Sequence, residues 1–210
     1  LLLDWEKAFD KIDQERLIQA IKRLGIPDTI INVIKSIYKS PMFIVKDGKY
    51  ISSEKRQGTG IRQGCPLSPF LFILLLTVII HDVNQSFSPQ QRDVLAAGQM
   101  HRIDIKHLFY ADDTLILSTT AEAAQIILHA IQRQSSKYNL KLNLKKCIHL
   151  RLNSIHRVLF LDGTPMPIEQ EATYLGGKIT ANTAHKGDIR YRIQQTTIIL
   201  QRMKILWNKT

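Results

Sequence analysis

Two cysteines in 210 residues, Cys65 and Cys147, are too few for a disulfide framework, and they lack zinc-ligand spacing, so a reducing compartment is the default. The seven histidines form neither HExxH nor another paired-ligand pattern, which argues against a zinc enzyme. Long apolar runs are missing too. The longest, Phe70 to Ile80, falls short of the roughly 20 residues that cross a bilayer and reads as a buried helix. No secretory signal, internal repeat or long low-complexity linker is visible. The chain does not open on methionine but on Leu1, inside an apolar strand-like stretch, and the expectation is an excerpt from a longer protein. Acids are scarce: 18 Asp and Glu stand against 29 Lys and Arg, a formal charge of +11. That imbalance points to a polyanionic partner, nucleic acid before membrane.

The basic residues are unevenly placed. Lys137, Lys141, Lys145, Lys146, Arg151 and Arg157 follow one another with no acid between them, and from Lys178 to Lys209 Asp188 is the only acid. Any single lysine is best read as a solvated charge. The asymmetry as a whole favours phosphate contacts, whose strength falls with salt. A hydrophobic content of 44% argues against disorder and suits one well-buried domain, or one domain and the start of another.

Against this background the stretch LFYADDTLIL, Leu108 to Leu117, places Asp112 and Asp113 inside an apolar run. Its flanks read as two short strands around a tight turn, so an ordinary hairpin with an acidic tip and a cation site are both open from these residues alone. The opening LLLDWEKAFDKID ends a strand-like run at Asp4, which could equally be a cap or a surface charge. GIRQGCPLSPFLF, Gly60 to Phe72, packs Gly, Pro and Ser around Arg62 and Gln63 ahead of an apolar helix, with Gly64 allowing close backbone approach.

Periodicity predicts helices over Gln14 to Leu24, capped by Asp13 and closed by Gly25, and over Asp28 to Tyr38. Met42 to Gln57, broken at Asp47-Gly48, has hairpin composition. A polar loop is expected from about Asn84 to Asp104, then a helix from a Thr119/Glu122 capping box to Tyr138. Strands near Lys141 to Leu152, Val158 to Leu161 and Tyr174 to Ile179, and a basic helix from about Thr183, complete the chain. Strands and helices interleave without a βαβ rhythm, so the fold class is α+β.

The motifs Glu6-Lys7-Ala8-Phe9-Asp10, Arg62-Gln63-Gly64-Cys65-Pro66-Leu67-Ser68-Pro69 and Tyr110-Ala111-Asp112-Asp113, in this order, resemble the palm of a reverse transcriptase, and their wording looks like the non-LTR (LINE-type) retrotransposon branch. Asn143-Leu144-Lys145-Lys146 resembles the lysine motif after the catalytic hairpin, and Tyr174-Leu175-Gly176 the primer-grip turn. The resemblance implies a polymerase palm over residues 1–180, an antiparallel sheet covered by helices. Residues 14–58 would border the fingers and 181–210 would form a basic helix starting the connection or thumb, with fingers and thumb incomplete.

It implies an RNA-directed DNA polymerase that adds dNTPs to a primer 3′-hydroxyl during retrotransposition, with RNA template and DNA primer or target as partners and no membrane. Nothing in the sequence sets an oligomeric state. Asp4 and Asp112 would be the principal ligands, and Asp113 the supporting one, for two Mg²⁺ ions, Mn²⁺ being an alternative; oxygen donors suit such hard cations. Lys146 would assist the leaving pyrophosphate, with Lys145 the alternative register. Phe9 would be the steric gate, where core packing is the competing role. Arg62, Gln63, Gly64 and Tyr110 would contact nucleotide and template, and Tyr174, Leu175 and Gly176 would form the primer grip. The expected location is intracellular, nuclear at the site of integration, with a cytoplasmic ribonucleoprotein. The competing readings are a catalytically inactive nucleic-acid-binding remnant of a retroelement and a group II intron or retron-type enzyme. A decayed copy should have lost acids and glycines at random, yet Asp4, Gly64, Asp112 and Asp113 all stand. The excerpt alone is expected to bind nucleic acid weakly and polymerise poorly.

Overall fold

Apolar residues at the start of the chain fold back on the hairpin more than a hundred residues later. The computed structural model describes residues 1–98, 107–110, 113–152, 155–181 and 185–207. Strand β1 (Leu2–Leu3) leads to a short helix α1 (Ala8–Lys11), then α2 (Gln14–Arg23) and α3 (Asp28–Tyr38). Four two-residue strands follow: β2 (Met42–Phe43), β3 (Lys46–Asp47), β4 (Tyr50–Ile51) and β5 (Lys55–Arg56). Helices α4 (Ser68–Gln85) and α5 (Pro89–Ala97) precede the hairpin of β6 (His107–Tyr110) and β7 (Asp113–Ile116). The remainder comprises α6 (Ala121–Ser136), β8 (His149–Leu150), β9 (Ile168–Glu169), β10 (Glu171–Tyr174), β11 (Gly177–Thr180) and α7 (His185–Trp207).

The central sheet has order β1-β7-β6, both pairs antiparallel. A bridge from Leu2 to Ile148 extends it on the far side of β1, and the two residues exchange both backbone hydrogen bonds at 2.8 Å. Around it lie two-stranded pieces: β2–β5 enclosing β3–β4, the β10–β11 hairpin, and β8–β9, which run parallel. The mixed, largely antiparallel architecture agrees with the α+β expectation. The expected continuous strands at 141–152 and 158–161 are instead isolated bridges, Trp5 to Leu142 and Leu159 to Pro165, and the two-residue β8. The chain turns at Asn143, whose carbonyl accepts from the Lys146 and Cys147 amides, and this turn interrupts the pairing. Where one strand was expected near Tyr174 to Ile179, there is a hairpin.

Helix α2 begins as its sequence dictates: the Asp13 side chain accepts from the Arg16 amide at 3.0 Å. It buries Leu17, Ala20 and Ile21. Helix α4 extends beyond the Phe70 to Ile80 run to 18 residues, enough by length and composition to cross a membrane. Its contacts, however, are with α2 and α6, and Leu71, Phe72, Leu75, Leu76 and Ile79 are buried there. Arg23 of α2 holds Asp82 of α4 with both guanidinium nitrogens and reaches the Tyr138 hydroxyl at 3.1 Å.

Two helix starts correct the sequence reading. The expected loop at 84–104 contains α5, opened by a capping box in which Ser88 and Gln91 satisfy each other's backbone amides, with Pro89 in the first turn. Helix α6 is capped by Thr120 rather than Thr119; its side chain accepts from the Ala123 amide at 3.2 Å.

Candidate active site

Strand register builds the site. Leu2 faces Leu115 and Leu3 faces Thr114, so Asp4 follows the last paired residue of β1 and Asp113 precedes that residue's partner on β7. Tyr110 pairs with Asp113 across the hairpin, which makes Asp113 the first residue of β7 rather than part of the turn. Ala111 and Asp112, the latter an expected principal ligand, lie outside the described residues. Sequence-distant acids at 4 and 113 are thus carried to the same end of the sheet.

Asp4 is pinned by its backbone. Its carbonyl accepts from the Asn143 amide at 2.8 Å and its amide donates to Cys147 Sγ at 3.4 Å. Burial pushes the Cys147 thiol up to about 11, so the sulfur is a neutral packing atom and not a nucleophile. The turn from Asn143 to Lys146 places Lys146 Nζ 4.0 Å from Asp4 Oδ2, with both side chains well exposed. Lys145 is exposed and makes no ion pair with a described residue. Of the two lysines, therefore, Lys146 addresses the acid.

Next to Asp4, Trp5 is buried and its Nε1 donates to the buried Thr114 Oγ1 at 3.0 Å, tying β1 to β7 one residue from both acids. Trp5→Phe leaves that hydroxyl without its donor. The expected loss is about 1–3 kcal/mol of folding stability, read by urea denaturation. A change under about 0.5 kcal/mol would show the bond to be dispensable.

Tyr174 is half-buried at the end of β10, and its hydroxyl is held above its usual range by burial and then by the charge of Asp113. Leu175 and Gly176 form the two-residue turn to β11, with φ of 48° and 76°. Positive φ at both centres is the type I′ pattern, which glycine accepts freely and leucine does not. The leucine is 52% exposed, so packing does not hold it in this conformation.

Phe9 stacks on Phe72 with ring centroids 5.0 Å apart. Both line an apolar cavity of about 540 Å³ that Phe109 and the exposed Tyr110 complete. Phe9 thus packs on Phe72 and borders the cavity. One residue on, Asp10 Oδ1 accepts from Gln63 Nε2 at 2.9 Å, fixing the Arg62-Gln63-Gly64 loop to α1. Gly64 turns with φ of 81° into open space, and the Arg62 guanidinium makes no ion pair with a described residue. Asp10 and Trp5 carry contacts that sequence reasoning did not assign: Asp10 stood only as motif wording, and nothing in the sequence pairs Trp5 with Thr114.

Among the described residues no group of three or more His, Cys, Asp and Glu is placed to hold a metal ion. The described pair, Asp4 and Asp113, offers carboxylate oxygens only, a donor set that suits a hard divalent cation rather than zinc.

Residues 1–179 match the family described as reverse transcriptase (RNA-dependent DNA polymerase). Among curated relatives, the Pol polyprotein of the type-1 retrotransposable element R2 of Nasonia vitripennis is 30% identical over 155 residues, 72% of this chain and 14% of that protein. An RNA-directed DNA polymerase from mobile element jockey of Drosophila funebris is 27% identical over 183 residues, 83% of this chain and 19% of that protein. The 149 kDa protein of transposon TX1 of Xenopus laevis is 29% identical over 124 residues, 56% of this chain and 9% of that protein. The chain spans less than a fifth of the length of these relatives. With nearly all of its length matched, and with relatives named for mobile elements, this chain belongs to the reverse transcriptase family, in the non-LTR retrotransposon branch.

Proposed function

We propose that this chain is the palm of an RNA-directed DNA polymerase, extending a primer 3′-hydroxyl with deoxynucleoside triphosphates during retrotransposition. The observation that supports the reading is that Asp4, after β1, and Asp113, at the start of β7, come to the same end of the sheet, with Lys146 Nζ at 4.0 Å from the Asp4 carboxylate. Reverse transcriptase domains use divalent metals, a nucleic-acid template and deoxynucleoside triphosphates. Here the expected ions are two Mg²⁺, with Mn²⁺ as substitute, with Asp4 and Asp112 as the principal ligands and Asp113 as the supporting one. When bound, the ions neutralise charge on the transferring phosphoryl group and lower the proton affinity of the primer hydroxyl.

The chain's own residues supply the rest. The primer 3′-oxygen bonds to the α-phosphorus while the bond from that phosphorus to its bridging oxygen breaks. Lys146 Nζ is placed to give a proton to the departing pyrophosphate. Tyr174 and the Leu175-Gly176 turn hold the primer strand, and Arg62, Gln63, Gly64 and Tyr110 bound the nucleotide and template. Residues 1–180 would form this palm, and 181–210 the start of a connection or thumb. The expected setting is nuclear at integration, with a cytoplasmic ribonucleoprotein.

Phe9 would select deoxyribose by occupying the space of a 2′-hydroxyl, held there by its stack on Phe72. Phe9→Val is expected to raise incorporation of ribonucleotides relative to deoxyribonucleotides by roughly 10–200-fold, the range one pocket group supplies. Single-nucleotide extension with matched rNTP and dNTP pairs reads this ratio. An unchanged ratio would return Phe9 to core packing alone. The polymerase reading itself is tested by primer extension on an RNA template, with this domain in the longer polypeptide length of its relatives.

A further inference from the structure

A second cavity, of about 700 Å³, lies between α2, the last turn of α3 and the segment after β5. Its wall gathers Lys22, Lys35, Lys39 and Arg56 against two carboxylates, Asp13 and Glu15. Asp13 is already engaged as the cap of α2. Lys22 approaches Asp28 no closer than 3.9 Å, and Lys35, Lys39 and Arg56 make no ion pair with any described residue. Lys35 and Lys39 stand four residues apart on one helical face, an arrangement that is unfavourable without an anion between them. The same wall contains Tyr38, only 7% exposed, whose buried hydroxyl has no hydrogen-bond partner. The cations of the wall are therefore the groups open to an anion from outside.

The cavity continues into the candidate active site through the backbone. Gly58 and Thr59 line it, and Thr59 Oγ1 donates to the Asp10 carbonyl at 3.0 Å. Gln14 Nε2 donates to the Gly60 carbonyl at 2.8 Å, four residues before the Gly64 turn. A strand lying against Gln63 and Gly64 meets this cleft next. The cations come from three different elements along the wall, which fits successive phosphates better than one compact ion.

We propose that the α2–α3 cleft binds the phosphodiester backbone of single-stranded template beyond the Gln63-Gly64 loop, with Lys35, Lys39 and Arg56 neutralising phosphates. This rests on the polymerase reading for the identity of the strand, and its test is equilibrium binding, which needs no chemistry.

The measurement is fluorescence anisotropy of a labelled single-stranded RNA 12-mer with the 210-residue chain across a series of KCl concentrations. Removing three phosphate contacts in a Lys35→Ala, Lys39→Ala, Arg56→Ala variant should lower the slope of log affinity against log salt by about 2, at roughly 0.7 per contact. An unchanged slope in the triple variant overturns the proposal whatever primer extension shows. Inorganic phosphate supplies the other arm: a phosphate-induced melting shift lost in the triple variant, with RNA binding intact, would assign the cleft to a small anion and equally overturn it. A lowered slope in a protein that fails to extend primers would support the strand site and count against only the polymerase reading.

Discussion

Asp113→Asn is expected to lower primer extension at least roughly 10²–10³-fold, the scale on which a single preorganised electrostatic group acts in a transition state. Asp4→Asn should do the same. The loss is not one of folding. Both carboxylates are at the accessible end of the sheet, and Asp113 is exposed. The exposed Asp4–Lys146 pair at 4.0 Å contributes little to stability. The melting midpoint of either variant should therefore stay within about 2 °C of the parent. The two readouts together separate the roles: full activity in Asp113→Asn rejects the site, and a large drop in melting temperature makes the acid structural. Lys146→Ala should reduce the rate less than either acid variant, since it removes a proton donor and leaves the carboxylates in place.

The parts of the fold written in local pattern were legible in the sequence. Asp13, the 17/18/21/24 apolar spacing and Gly25 define α2 to within a residue, and Asp28 to Tyr38 is α3 as its periodicity reads. The SPQQ start of α5 carried its capping signal openly and was passed over because the surrounding composition is polar. Long-range placement was less legible. That Asp4 and Asp113 come to the same end of one sheet, and that Trp5 reaches Thr114, depends on a register between segments over a hundred residues apart, and period-2 alternation in so short a strand cannot set it. The resemblance implied that the strand ends carrying Asp4 and Asp112 come together, and Asp112 lies outside the described residues. It did not supply the Asp10–Gln63 bond or the Cys147 contact with Asp4, because each is a pairing of side chain with partner that spacing does not encode.

Gly60→Ala should be far more damaging than Gly64→Ala, although the two glycines share a loop and nearly the same backbone, φ of 82° and 81°. At Gly64 an added methyl meets nothing within 4 Å, and the cost is the left-handed backbone alone, about 1–2 kcal/mol. At Gly60 the same methyl would stand 2.5 Å from the Asp10 carbonyl oxygen and 2.7 Å from the Asp10 Cα. No flexible side chain is there to yield. The obstacle is the main chain of α1, held in place because the Gly60 amide donates to the Ile12 carbonyl and the Ile61 amide to the Phe9 carbonyl, each at 2.7 Å. Relief requires the loop to move off α1, which strains or breaks those bonds and adds an overpacking cost of about 1–3 kcal/mol to the backbone term. The expected total is about 2–5 kcal/mol by urea denaturation. Because the displacement would also draw Gln63 away from Asp10, the surviving folded fraction of Gly60→Ala should show a raised KM for nucleotide, while Gly64→Ala retains the Gln63 contact. Equal destabilisation by the two substitutions would mean that the close approach at Asp10 does not govern this loop.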